Sequence, residues 1–295
     1  MLTHQNDTPT PPKRAVVIGS GGFVGSTIAK ELAKAKIPTL GLTRAQVDLL
    51  SPSGADALKA LLSPDDAVVF VSAIAPARNV EQLMANLRMA EAALLAFAEV
   101  PPAHLLYISS DAIYADDANP VTERSPVAPS TLHGMMHAAR ELMFRSEYRG
   151  PFACLRPTLI YGAADPHSGY GPNRFRRQAA KGESITVFGE GEEKRDHVAV
   201  EDVARLAVQI AVRHSTGALN AATGVASSFH DIAQTVAARF TPPAEVKSVP
   251  RPGPRPHLLH RFFDITDCHK AFPNFHFEPL QSGLARVHRE AFGGA

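Results

Sequence analysis

An apolar run, Ala15 to Ile18, opens directly onto Gly-Ser-Gly-Gly-Phe-Val-Gly-Ser (19–26), and a helix-forming stretch follows. That order leaves few folds open. Gly19, Gly22 and Gly25 make a GxxGxxG spacing between a strand and a helix. The first glycine allows a tight turn, the second lets the backbone approach a pyrophosphate, and the third permits close helix–strand packing. The helix N-terminus then favours the anion. Strand–turn–helix context at the start of the first βαβ unit gives the pattern its weight, since three glycines alone are weak. It points to a dinucleotide, with Phe23 and Val24 inside the binding turn. The alternative is a glycine-rich turn that only packs.

Strand-like and helix-like stretches continue to alternate. Strands are expected at 38–44, 67–75, 104–110 and 151–162, and helices at 56–62 and 80–100, the latter stopped by Pro101. Such alternation implies parallel βαβ units and a doubly wound sheet. The strands are largely apolar, as strands buried on both faces must be. In the second half, a Gly/Pro/Asn-rich loop (162–173) leads to a helix at 174–181 and a strand at 184–189. The Pro-rich, basic segment 241–262 reads as a loop. The fold class is therefore α/β, a Rossmann-type parallel sheet with a smaller C-terminal α/β lobe. Residues 13–165 would form mainly the dinucleotide domain and 166–295 mainly the substrate lobe, with elements returning to the first domain. Residues 1–12, rich in Pro, Thr and Asn, read as a disordered tail.

Composition excludes several classes. A net charge of +1 gives no case for nucleic acid or a polybasic membrane anchor. Two cysteines make no disulfide framework, so a reducing cytoplasm is the simplest setting. No apolar run approaches the ~20 residues of a membrane helix, and the start has no apolar signal core.

The choice of dinucleotide rests on the end of the second strand. A carboxylate there suits the ribose hydroxyls of NAD, and an arginine suits the 2′-phosphate of NADP. Thr43 and Arg44 hold that place with no acid. Asp48 comes later and fits an adenine-side contact. NADP is therefore expected, with NAD possible; Arg44 could equally be a solvated surface charge.

With the glycine loop, "YISSDAIY" (107–114) and "HGMMH" (133–137) in hand, the chain resembles the extended short-chain dehydrogenase/reductases, the NAD(P)-dependent sugar epimerases and dehydratases, from about Arg14 to Ala291. "ERSPVAP" (123–129) looks like the loop before the catalytic helix, "LRPTLIYG" like the strand after it, and "VFGEGEEKRDHVAVEDVA" like the substrate-side segment. The resemblance implies Ser110 as the residue binding the reacting oxygen and Tyr114 as the tyrosine that follows. Asp111 stands as in members that dehydrate sugars. It also implies a homodimer paired through the helices near 80–99 and 131–149.

The departure lies at the centre. The resembled helix carries Tyr-x-x-x-Lys, where the tyrosine moves a proton and the lysine holds the nicotinamide ribose and lowers the tyrosine pKa. Here the matched positions are His133 and His137, with Gly134 and Glu141 keeping the register. One reading is catalytic replacement. An imidazole titrates near ~6.5, so His133 could exchange protons without a cation beside it, and His137 could still hydrogen-bond the ribose. A second reading is a metal site, since i and i+4 histidines share a face, but zinc wants a third ligand and no HExxH glutamate is present. A third is a protein that binds ligands and turns nothing over. No metal is expected.

On the substrate side, Arg195 in "KRDH" could clamp a diphosphate through two parallel hydrogen bonds. Arg251 and Arg255 fall where the resembled enzymes often place a second phosphate arginine, and Asn173 and Arg176 flank the loop that would close over a nucleotide. Any one of these arginines could instead be a surface charge. The expected function is NAD(P)-dependent hydride transfer on a nucleotide sugar or similar hydroxy or keto compound, with His133 as acid/base and Tyr114 a lesser candidate. The alternative is a non-catalytic dinucleotide-binding protein, a redox sensor or scaffold.

Overall fold

The computed structural model describes residues 2–117, 119–253 and 258–293. The first half runs β1 (Leu2–Thr3), β2 (Arg14–Ile18), α1 (Phe23–Lys34), β3 (Thr39–Leu42), α2 (Gly54–Lys59), β4 (Asp66–Phe70), α3 (Val80–Glu99) and β5 (His104–Ile108). A short 3₁₀ turn, Asp111–Ile113, precedes α4 (Leu132–Glu147) and β6 (Phe152–Pro157). Then come β7 (Leu159–Tyr161), α5 (Pro172–Ala180), β8 (Ile185–Phe188), β9 (Lys194–Ala199), α6 (Val200–Val212) and β10 (Thr216–Ala221). The chain closes with β11 (Ala226–Ser228), α7 (Phe229–Ala237), β12 (Val246–Val249), α8 (Thr266–Ala271) and α9 (Leu280–Phe292).

Seven strands form the main sheet in the order β1-β10-β6-β5-β4-β2-β3, all parallel except the edge strand β1. Both faces are covered. Val17, Val69 and Leu106 meet α1 and α6 on one side; Val16, Val68 and Phe70 meet α2, α3 and α4 on the other. This is why every residue of β4 and β5 is buried. Because β2 lies between β3 and β4, the winding reverses there, and the crevice outside the carboxyl ends of β2 and β4 is the switch point at which such sheets bind ligands. A second core around Tyr161, Phe175, Phe229 and Leu284 joins β7, β9 and β11 to the β8–β12 pair, α5, α7 and α9.

Three expectations are corrected. The N-terminal stretch is placed rather than disordered. Leu2 is buried, β1 pairs antiparallel with β10, and Thr10 donates its N–H to Val212 at 2.7 Å. His4 Nε2 donates to the Ala271 carbonyl at 2.9 Å, which leaves Nδ1 to accept from Ser215 Oγ at 2.8 Å. An edge strand with free backbone groups on β10 overrides the polar composition of this segment. Residues 151–162 are two strands in different sheets, not one. Pro157 lacks the N–H that would extend β6, and the chain crosses to β9 at Leu159. The supposed loop 241–262 contains β12, which pairs parallel with β8.

Replacing His4 with alanine removes two hydrogen bonds that tie β1 down, and is expected to lower stability by about 1–2 kcal/mol. Urea unfolding checks this; an unchanged midpoint would mean that β1 contributes nothing.

Candidate active site

The glycine turn is built by close approach. Gly19 has φ +98, and a Cβ on it would stand 2.7 Å from Ser72 N; a Cβ on Gly25 would stand 2.2 Å from the Gly19 carbonyl oxygen. Only glycine lets α1 start this near the strand end. Gly22 caps α1 without a side-chain hydrogen bond, and the first turn carries no acid. The α1 amides thus face the crevice with no side chain satisfying them, as a pyrophosphate cradle needs. The Phe23 ring lies against Gly162, where a Cβ would come within 2.8 Å of it, and Val24 packs on the core. These residues fit a dinucleotide phosphate.

Arg44 follows β3, as the sequence placed it, with its side chain 77% exposed. It pairs with Asp48 at 3.1 Å, while Asp48 also accepts from Leu50 N at 3.0 Å. That backbone bond, helped by Arg44, holds the Asp48 carboxyl below its usual range.

Ser110 ends β5. Its Oγ accepts from Ala112 N at 3.1 Å and caps the 3₁₀ turn, leaving the hydroxyl proton to donate elsewhere. The N-terminus of α4 packs on that turn at Gly134, where a Cβ would stand 2.0 Å from the Ala112 carbonyl oxygen. Thr131 caps the helix by accepting from Gly134 N at 3.1 Å. His133 is therefore held beside the turn that follows Ser110. The His133 and His137 rings meet edge to face at 4.7 Å.

The two histidines differ in environment. His133 is half-buried, with Nδ1 lacking a hydrogen-bond partner among the described residues. Burial lowers its pKa, and His167 lowers it further. His137 is buried, and its Nδ1 is 2.6 Å from the Tyr107 hydroxyl of β5. Burial, then His133 and Arg140, push it well below the ordinary imidazole range, so it is neutral at pH 7. Burial pushes the Tyr107 phenol up, and Arg140 only partly offsets this. A phenol proton donated to His137 Nδ1 puts the imidazole proton on Nε2.

Arg140, one turn further along α4, is fully buried. It donates to Asn86 O (2.9 and 2.6 Å) and Ser72 O (2.8 Å) and lies over the Phe70 ring. It fixes α4 to α3 and to the end of β4. The sequence reading passed over it; a charge on the apolar face of a helix was the available signal. Glu141 accepts from Arg156 at 2.9 and 2.6 Å in a buried bidentate pair.

Several candidates have structural posts instead. Tyr114 is 2% exposed, donates to Asn220 Oδ1 at 2.7 Å and accepts from Arg156 at 2.8 Å. Asp111 lies near buried Arg261, at 3.9 Å, and its carbonyl accepts from the same guanidinium at 3.2 Å. Asn173 is buried and donates to Asp165 at 2.7 Å. Arg176 is buried and donates to Ala163 O at 3.0 Å, so both residues hold the 162–165 turn rather than reach outward. Arg195 pairs with Glu193 at 2.6 Å and donates to three backbone carbonyls. Arg251 pairs with the other oxygen of Glu193. Arg255 lies outside the described residues. Glu193 and Arg261 were not foreseen, because only folding brings them to this place.

The features above define a Rossmann-type α/β protein with its site at the carboxyl ends of the strands. The chain belongs to the NAD dependent epimerase/dehydratase family, which it matches over residues 15–222. Among solved structures it is similar to a UDP-N-acetylglucosamine 4-epimerase from Bacillus cereus, with TM-score 0.80 and 20% identity over 95% of this chain and 99% of that one. A GDP-L-fucose synthetase from Naegleria fowleri bound to NADP gives TM-score 0.83 at 17% identity, over 98% and 95%. A UDP-N-acetylglucosamine 4-epimerase from Methanobrevibacter ruminantium M1 gives 0.80 at 20%, over 95% and 98%. These likenesses establish the fold. No helix among the described residues is long and apolar enough to cross a membrane.

Burial is expected to make the protein acid-sensitive. It lowers His104 and His197 to about 4. The unfolded chain binds more protons than the folded one between those values and the ordinary ~6.5, so stability is full above ~6.5 and is lost as pH falls toward 4. Each imidazole contributes on the order of 3 kcal/mol. Asp196, pushed up to about 6 by burial, acts the other way, and its contribution is lost as pH rises through 6. Burial also lowers His133 and His137 and raises Glu123, so the lowered imidazoles outnumber the raised carboxyls and the urea midpoint is expected to fall between pH 6.5 and 4. A midpoint that rises on acidification would contradict this. Separately, Arg156→Met leaves buried Glu141 with only the longer, 3.6 Å pair to the exposed Arg145 and is expected to cost about 3 kcal/mol in the same assay.

Proposed function

We propose that this protein is an NAD(P)-dependent oxidoreductase or epimerase acting on a hydroxyl or keto carbon of a sugar-class compound. The nicotinamide, when bound, supplies the hydride acceptor or donor. His133 moves the proton at the reacting oxygen, and the Ser110 hydroxyl donates a hydrogen bond to that oxygen. His137, neutral and buried, offers Nε2 toward the ribose in place of the lysine. The observation that carries the reading is the docking of α4 at Gly134, which sets His133 beside the turn capped by Ser110. The similar enzymes described above are named for UDP- and GDP-linked sugars, which supports the sugar class. We further propose a homodimer: Val80, Met84 and Leu95 of α3 and Met135 and Leu142 of α4 are exposed apolar groups on the two helices.

A second reading is a dinucleotide-binding protein without turnover. It is favoured by the absence of a lysine at 137 and by the uncharged state of the residue there. Nicotinamide absorbance with a panel of hydroxy and keto sugars decides between the two.

With a true substrate, His133→Ala is expected to cost ~10²–10⁴ in turnover. The sign of its pH profile follows from the lowered pKa. In the oxidation direction the neutral imidazole is the base, so activity is full at pH 7 and falls below ~6.5. Full turnover by His133→Ala removes it from the chemistry. For the cofactor, Arg44→Ala is expected to weaken NADP binding by about tenfold or more and leave NAD binding unchanged, since only NADP carries the 2′-phosphate. Equal losses, or tighter NAD binding by the wild type, would argue for NAD.

A further inference from the structure

Three basic side chains meet where α5, α7 and α9 come together in the second core. On α9, Leu284, Val287 and His288 share one face, three and four residues apart. Leu284 and Val287 are buried against Val236 and the rest of that core, and their packing carries His288 in beside them. With Arg176 of α5 and Arg239, just beyond the end of α7, these residues line a cavity of about 10 Å³.

The donors at this cavity are not matched by acids. Arg176 is buried and directs its guanidinium at the carbonyls of Gly162 and Ala163, the latter at 3.0 Å. Arg239 Nη2 donates to Gln281 O at 3.0 Å. Among the described residues neither arginine forms an ion pair. The acids that act on Arg176 from further off are engaged elsewhere: Asp165 accepts from Asn173 at 2.7 Å, and Glu290 pairs with Arg286 at 2.9 Å. Two buried nitrogens, Arg239 Nε and His288 Nδ1, have no hydrogen-bond partner among the described residues. The His288 ring is not free to turn, since Phe240 holds it edge to face at 4.8 Å and Phe292 lies at 5.0 Å. Burial, then Arg239 and Arg176, lower its pKa, which marks how the positive charges crowd one another here.

A buried N–H without an acceptor is costly, and like charges facing one another add to that cost. A water molecule answers the first and not the second. A small anion answers both, because it accepts from each N–H and offsets the charge of the guanidinium groups. The cavity is about the size of one water molecule, so it suits a monatomic anion and excludes phosphate. Arg239 and His288 are both half-buried, so these walls can give slightly for an ion larger than water.

We propose that the junction of α5, α7 and α9 is a chloride site, with Arg239 Nε and His288 Nδ1 as its donors and the charge of Arg176 beside them. Because Arg176 also holds the first carbonyls after β7, chloride bound there braces the loop that follows that strand. The site is separate from the hydride-transfer reading and does not depend on it. The test is urea unfolding of the full-length protein at a fixed ionic strength of about 0.2 M, with chloride exchanged for gluconate, which is too large for the cavity. The folded-to-unfolded ratio is expected to rise at least about fivefold from gluconate to chloride, along a saturable curve. Arg239→Gln and His288→Phe each remove a donor and are expected to flatten that curve. An unchanged wild-type midpoint overturns the proposal, and so does a chloride dependence that both variants keep. Bromide-soaked wild-type crystals give a second readout that needs no variant. An anomalous bromine peak between Arg239 Nε and His288 Nδ1 is expected; density for water alone at that point overturns the proposal.

Discussion

The contact on which the rest depends is the near touch of Gly25 and Gly19. A single methyl group at residue 25 would come within 2.2 Å of the Gly19 carbonyl oxygen. Its absence lets α1 start at the very end of β2, so the helix amides and the strand carboxyl ends open into one crevice. Gly134 repeats the device at the other wall, where α4 meets the Ala112 carbonyl. Two places with no side chain thus set the distance between the cofactor turn and the proposed acid/base.

Around them the protein uses buried arginines as braces. Arg140 reaches from α4 to backbone carbonyls of α3 and of Ser72, two residues beyond β4. Arg156 reaches from β6 to Glu141 on α4 and to the Tyr114 hydroxyl. Both are long, rigid forks whose donors are all directed at fixed acceptors, which suits them to hold a helix at a set angle. Arg195 and Arg261 brace the far lobe in the same way, through backbone carbonyls and carboxylates. A side chain whose donors are taken in this manner has few left for a ligand. Arg176 and Arg195, which have the chemistry of a clamp, direct donors at backbone carbonyls in this way.

Much of the fold was legible in local pattern. The apolar strands, the glycine turn and the helix that follows are short-range signals, and the alternation of elements implies the parallel sheet. The positions of His133, His137, Ser110 and Arg44 at strand and helix ends followed from the same reading. Contacts between distant segments stayed hidden. The strand Leu2–Thr3 looks like a tail until β10 supplies an edge, and β12 looks like a loop until β8 lies beside it. Tyr114 looks available until Arg156 and Asn220 close on it.

The sequence by itself determined the doubly wound architecture, the glycine turn and the pair of histidines one helical turn apart, because each is written in nearby residues. Tertiary structure alone decided what surrounds those groups. His137 became a buried neutral ring on Tyr107, and Arg195 became the partner of Glu193. Charge state and availability depend on burial and on the nearest opposite charge. For His137 the hydrogen-bond partner comes from a strand 30 residues away in the chain, and the Arg195 guanidinium is closed in by a loop 63 and 64 residues away, so neither environment could be read from the local sequence.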